Sequence, residues 1–181
     1  DRFFFGDWLP ENKNLVKIKA DARDFDPQLL ADKDAVIDLV AISNDPAGDV
    51  FEKATYAINH EARVKTATLA KKHGVQRYIL PSSCSIYGFQ DVGSIANEGS
   101  ATNPLTHYAK ANEMAEKEIL PLADSTFCVT ILRQATVYGY SPRMRFDLAI
   151  NGMTYGAWKD RSLPLMRDGD QWRPMIHVSD T

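Results

Sequence analysis

The sequence predicts an α/β fold built on a doubly wound parallel sheet, and three observations carry that expectation. Short β-branched runs alternate with longer stretches of helical periodicity, as strand–helix units do. The run Ala35 to Ala41 is apolar on both faces except at Asp38, which suits a buried parallel strand. The run ending at Leu80 passes through Pro81 into the small polar stretch Ser82-Ser83-Cys84-Ser85, and a strand that stops in hydroxyls is where such sheets place chemistry.

Taken in order, Leu15 to Ile18 is a first short strand and Ala35 to Ala41 a second. Between Asp49 and His73, Phe51, Ala54, Ile58, Ala62, Val64, Ala67 and Ala70 recur at helical spacing, and Gly74 stands where a C-capping glycine belongs, so this stretch is one long helix. Gln76 to Leu80 is the next strand. After a loop with Gly88, Gly93 and Gly99, Leu105 to Leu120 is rich in Ala, Glu, Lys and Met and is stopped by Pro121, as a helix is. Phe127 to Leu132 is a strand holding Cys128 as a buried small hydrophobe. Ser141 to Trp158 is a further helix, with short strands at Leu163 to Met166 and Met175 to Val178. Gly and Pro fall at element ends, so residues 1–181 form one unit, without repeats or low-complexity linkers.

Composition removes several classes of function. With 181 residues, 44% of them hydrophobic, and a net charge of −3, the chain has a globular balance and no basic stripe to match a phosphate backbone, so nucleic acid is not an expected partner. Its apolar runs are too short to span a membrane. Cys84 and Cys128 have no second Cys or His at ligand spacing, which indicates a reduced, cytoplasmic setting and no metal. The start lacks a signal peptide and a Met and reads as a chain entered partway through. Glycine-rich dinucleotide and P-loop phosphate turns, His-Glu-x-x-His and Gly-x-Ser-x-Gly are all missing, which weighs against an NTPase, a zincin and an α/β-hydrolase.

What the chain does hold is an ordered series: Ser82-Ser83-Cys84-Ser85-Ile86-Tyr87-Gly88, then Tyr108-Ala109-Lys110-Ala111-Asn112, then Leu132-Arg133-Gln134-Ala135-Thr136-Val137-Tyr138-Gly139, then Arg173-Pro174-Met175-Ile176-His177-Val178. Each piece is weak alone; four in this order and spacing are not. The series resembles the extended short-chain dehydrogenases/reductases, the nucleotide-sugar epimerase/dehydratase family, with its Ser-Ser-x-x-Val-Tyr-Gly, Tyr-x-x-x-Lys, Leu-Arg-x-x-Asn-Val-Tyr-Gly and Arg-Asp-x-Ile-His-Val segments.

The resemblance covers essentially the whole chain and implies a Rossmann-like domain. The family's first βα unit would precede Asp1 and most of the C-terminal substrate lobe would follow Thr181, with that lobe beginning at about residues 141–181. Such a piece would expose strand edges, fold poorly alone and bind cofactor weakly. The implied cofactor is NAD rather than NADP, with Asp1 at the adenosine ribose, Asp21 and Ala22 near the adenine, and Leu39, Val40 and Ala41 at the strand end it passes. Asn59, Ser83, Tyr108, Asn112 and Ala135 complete the implied cofactor contacts. On the substrate side stand Ser83, Cys84, Tyr108, Thr136 and Arg173, the last as a guanidinium fork for a nucleotide diphosphate. Arg143 and Arg145 either line the entrance or are simply solvated, and His177 fills a strand. The implied partners are a nucleotide sugar and, at full length, a second copy paired through the helices at Asp49 to His73 and Leu105 to Leu120.

In the implied mechanism Tyr108, as phenolate, takes the proton of a sugar hydroxyl while hydride passes to the nicotinamide, and Ser83 holds the substrate oxygen. The family favours the phenolate with a Lys one turn later. Here that position is Asn112, while Glu116 keeps the family's later Glu in register. Lys110 lies about 200° around the helix from Tyr108 and cannot replace it. The catalytic set is therefore Ser83, Tyr108 and Asn112, with slower proton abstraction unless another cation approaches. Cys84 and Ser85 stand where 4,6-dehydratases carry an Asp-Glu pair, which disfavours dehydration. NAD-dependent epimerisation is the first expectation; an NAD(P)-dependent reductase and a weakened nucleotide-binding relative are the alternatives.

Overall fold

The computed structural model describes residues 6–91, 93–165, 168–170 and 172–181. They fall into two units, one spanning Val16–Arg133, the other Gln134–Thr181 together with residues 6–15.

In the first unit, β1 (Ala35–Ile37) pairs in parallel with β2 (Arg77–Ser83), Ala35 facing Arg77 and Ile37 facing Ile79, and β3 (Cys128–Gln134) lies on the other side of β2. Parallel strands need a covering layer, because their connections must cross over a face. That layer is helical. Its first turn, α1 (Asp45–Val50), is capped by Asn44, whose Oδ1 accepts from the Ala47 amide at 2.7 Å, with Pro46 in the first turn where a missing N–H costs nothing. After a break at Phe51 the chain continues as α2 (Glu52–Tyr56), a wide π-helical stretch Ala57–Ala62, and α3 (Arg63–Lys72). Gly74, at φ +80°, ends it in the left-handed conformation that favours glycine. The second covering helix, α4 (His107–Ile119), is capped by Thr106, which accepts from the Ala109 amide.

The core of this unit lies between β2 and these helices. Tyr78 and Leu80 of β2 meet Ala67 and Ala70 of α3, Ala115 and Ile119 of α4, and Val75 and Phe127, all of them buried. The small alanines let the helices approach the sheet closely while Tyr78 and Phe127 fill the volume.

The second unit has its own parallel pair, β4 (Thr136–Tyr138) against β5 (Met175–His177), and one helix, α5 (Ala149–Asp160). Buried Asn151 ties this unit together, its Oδ1 accepting from the Gly139 amide at 3.1 Å and its Nδ2 donating to the Arg145 carbonyl at 3.2 Å. His177 is a packing residue as expected, its ring edge-on to Tyr138 at 5.3 Å and its Nδ1 accepting from the Ser179 amide.

Several sequence expectations are corrected. Leu15 to Ile18 forms no strand; Val16 is 80% exposed, and a β-branched run without a neighbouring ladder has no reason to stay extended. The second strand stops at Ile37 and lies at the sheet edge, with Ile37 and Leu39 exposed rather than buried on both faces. Its continuation is bent by Asp38, whose Oδ1 accepts from the Val40 amide. The long helix begins at Asp45 and is broken at Phe51. Residues 141–148 are turns, so the last helix begins at Ala149, and Leu163–Leu165 is irregular, while Met166 lies outside the described residues. Cys128 is exposed, because it faces outward on β3, where alternate residues point away from the core.

Candidate functional site

Ser83 is the last residue of β2, and the chain there turns through a short 3-10 helix, Cys84–Tyr87. The Ser83 hydroxyl accepts from the Ser85 amide at 3.2 Å and from the Ser85 hydroxyl at 2.7 Å, so the strand end presents an oriented oxygen. Alternation along β2 separates it from Ser82, which is buried and donates to Glu116 Oε1. Glu116 Oε2 in turn receives Arg133 Nε at 3.0 Å and an Arg133 Nη at 2.8 Å, and Arg133 also donates to the Tyr87 hydroxyl at 2.9 Å. This network joins β2, α4 and β3 at the end where Ser83 lies.

Tyr108 occupies the first turn of α4, where α1 packs tightly against it. A Cβ on buried Gly48 would lie 3.1 Å from the Tyr108 Cβ and 3.2 Å from its amide nitrogen, so glycine is what permits the approach. Asp45 fixes the same junction by accepting from the Thr106 hydroxyl at 2.6 Å. Burial raises the Tyr108 phenol above the ordinary tyrosine range; the Ser83 hydroxyl, the Arg63 guanidinium and the Asn112 amide pull it down, and Asp45 pushes it up. The phenol and the Ser83 hydroxyl are thus brought within each other's influence.

Asn112 is 1% exposed. Its Nδ2 donates to the Tyr108 carbonyl at 2.9 Å, and its Oδ1 accepts from an Nη of Arg63 at 2.7 Å. Arg63 is itself 3% exposed and donates through Nε to the Val40 carbonyl at 3.0 Å. Sequence reasoning misses this residue. A signal for it exists: Asn59, Arg63, Ala67 and Ala70 share one helix stripe, and a charged residue on a buried stripe demands a reason.

The strand end bearing Leu39, Val40 and Ala41 is held from beneath. Asn59 Oδ1 accepts from the Ile42 amide at 2.8 Å and its Nδ2 donates to the Ile42 carbonyl at 2.9 Å, so fully buried Asn59 clamps the strand end. Leu39 and Val40 are 74% and 41% exposed, an apolar shelf at the strand end. Asp21 is already engaged: its carboxylate accepts from the Arg23 amide and, at 3.0 and 2.7 Å, from the Arg23 guanidinium. Asp1 lies outside the described residues. Ala135, Thr136 and Arg173 belong to the second unit, where Thr136 pairs with Met175 in the β4–β5 ladder and Arg173 is exposed. Arg145 forms an ion pair with Asp147 at 2.6 Å. Among the described residues no cluster of His, Cys, Asp or Glu could hold a metal, and no helix is long and apolar enough to cross a membrane.

Against this geometry, a model of the NAD dependent epimerase/dehydratase family matches residues 8–181. The chain belongs to that family. Among similar members, UDP-arabinose 4-epimerase 1 of Arabidopsis thaliana is 32% identical over 141 residues, covering 74% of this chain and 33% of the relative. The solved UDP-N-acetylglucosamine 4-epimerase from Methanobrevibacter ruminantium M1, in complex with UDP-N-acetylmuramic acid, is 25% identical with a TM-score of 0.86, covering 99% of this chain and 60% of the other. The UDP-glucuronic acid 4-epimerase from Bacillus cereus, in complex with UDP-glucuronic acid and NAD, is 26% identical with a TM-score of 0.81, covering 93% of this chain and 54% of the other. The chain thus spans between about a third and three fifths of these epimerase/dehydratase relatives.

Proposed function

We propose that the protein carrying this chain is an NAD-dependent epimerase of nucleotide sugars, with Tyr108 as the acid–base group. The observation that carries the reading is the coupling of a buried phenol to an oriented serine hydroxyl beside an apolar shelf at the sheet's strand ends. The 4-epimerases among its relatives favour the same reaction and a UDP-sugar substrate.

When bound against Leu39 and Val40, NAD supplies the carrier that takes and returns a sugar hydrogen with its electron pair. The chain's residues do the rest. Ser83, oriented by both contacts from Ser85, would turn its own O–H from Tyr108 to the sugar oxygen. Tyr108 takes the hydroxyl proton as the sugar is oxidised and gives it back after the ring has presented its other face, so the reaction leaves no net redox change. Ser85 donates its proton to Ser83, and neither it nor Cys84 supplies a carboxylic acid to expel water. That chemistry favours epimerisation over 4,6-dehydration. Arg173 would hold the substrate's diphosphate as a guanidinium fork.

The test is to incubate the natural full-length protein with NAD and a panel of UDP-sugars, following epimers by NMR and the reduced-nicotinamide absorbance together. Epimer formation without net NADH is the expected result, and Tyr108→Phe should slow it about 10²–10⁴-fold. Stoichiometric coenzyme consumption would make the protein a reductase; sugar and NAD binding without turnover would make it a non-catalytic relative.

A further inference from the structure

We propose that Arg63, seated by the Asn112 amide that stands where a lysine is expected, is the fixed positive charge behind Tyr108. Arg63 is thus a positioning residue for the base, and the proposal rests on the reading of Tyr108 given above.

The geometry is specific. Arg63 leaves α3 in the buried stripe begun by Asn59, and its guanidinium sits at 3% exposure between the Val40 carbonyl and Asn112 Oδ1. Among the described residues no carboxylate forms an ion pair with it. A guanidinium so placed keeps its proton, whereas a buried lysine tends to lose one. Its charge acts across a poorly solvated interior, where it is felt more strongly than in water. The Asn112 carbonyl oxygen holds that guanidinium at 2.7 Å, and its NH2 end donates to the Tyr108 backbone carbonyl at 2.9 Å, so Asn112 seats the cation against the base's own turn of α4. The departure from lysine is thus answered by a charge from another helix.

Other charged and titratable groups surround this pair. Asp45 of α1 opposes the effect from beside Thr106. His107, next to Tyr108 in the chain, meets Tyr56 at 3.2 Å and Glu52 at 3.5 Å. Behind Arg63, the Tyr78 hydroxyl donates to Asp38 at 2.6 Å and touches the Arg63 carbonyl at 3.2 Å, so Asp38 is already occupied. Ser83 approaches from β2.

The experiment compares Arg63→Met, Arg63→Lys, Asn112→Leu and the double variant Arg63→Met/Asn112→Lys in the natural full-length protein. Tyr108 ionisation is read as the ultraviolet difference from Tyr108→Phe, and the pH profile of kcat/KM is measured alongside. Removing the cation should raise the phenol midpoint and the acid limb by about one pH unit, a loss of about tenfold near neutral pH. Arg63→Lys should restore most of this, as should the lysine of the double variant. Asn112→Leu keeps Arg63 in the chain but removes the oxygen that seats its guanidinium beside Tyr108, so its midpoint should also rise, which keeps the proposal open to test should Arg63→Met not fold. An unmoved midpoint in folded Arg63→Met or in Asn112→Leu would overturn the proposal, and so would an Arg63→Lys protein indistinguishable from Arg63→Met. If the midpoint moves but no sugar is converted, the coupling stands and the epimerase reading fails. If sugar is converted while the midpoint stays put, the epimerase reading stands and the coupling fails.

Discussion

As the proposed base Tyr108 would have to lose a proton, yet its half-buried position raises the phenol above the ordinary tyrosine range, chiefly by desolvation. The sign of the pH dependence follows. The reactive anion grows as pH rises, so kcat/KM should climb through neutral pH and keep climbing past the ordinary phenol value near 10. A profile that is flat from pH 6 to 9 would contradict this assignment. Motif order singles out Ser83, Tyr108 and Asn112 in the sequence, and the fold places Ser83 at a strand end and the other two on α4. Arg63 is not singled out, because its partner Asn112 is 49 positions away and only packing joins them. The sequence suggests Asn59 as a ligand contact and the fold makes it a clamp on Ile42, since an amide can serve a backbone as readily as a ligand and the sequence does not distinguish the two.

At the scale of elements, the site depends on helices and strands being pinned at their ends. The Glu116 carboxylate, 5% exposed, joins Ser82 of β2 to Arg133 of β3 from its place on α4. Glu116→Ala would strand a buried hydroxyl and an incompletely solvated guanidinium, and should cost about 3 kcal/mol in denaturant unfolding. Gly48→Ala sets two effects against each other. Alanine improves helix propensity by about 1 kcal/mol, but its Cβ would press on the Tyr108 amide at 3.2 Å, a backbone atom that cannot rotate away. Overpacking should win by about 1 kcal/mol, and turnover should fall by more than stability does, because the displaced residue is the base. A variant that is both more stable and fully active would show that α1 can shift without moving α4. Helix α4 and its Thr106 cap follow from composition and periodicity. The break at Phe51 and the π-helical turn do not, because a 3.6-residue pattern with a small slip still reads as one helix.

For the whole molecule, alternation of strand and helix correctly indicates parallel pairing, since β1 with β2 and β4 with β5 are both parallel. The edges are less legible. Leu15 to Ile18 and Ala35 to Ala41 carry strand composition, but a strand is a relationship between two chains of hydrogen bonds, and composition records only one of them. Ile37, Leu39 and Val40 are correspondingly exposed along this edge strand. NAD at a hundredfold excess over its Kd should then stabilise the full-length protein by about 2.7 kcal/mol, seen as a rise in Tm of several degrees. Leu39→Asp should abolish most of that rise while leaving the ligand-free Tm nearly unchanged, because the side chain is 74% exposed.

The π-helical turn at Ala57–Ala62 has a bearing on how this sequence can change over time. It separates two stretches of helix with different duties: upstream, α1 and α2 lie against the start of α4, and downstream, α3 supplies Arg63 to the site and Ala67 and Ala70 to the core. A wide turn of this kind sets the phase between them. Deleting one residue there would let the wide turn tighten into an ordinary α-helical one and absorb the loss, leaving α3 in phase, whereas a deletion between Arg63 and Ala67 would rotate both alanines by about 100° away from the core. The helix can therefore change length at its wide turn far more readily than within α3.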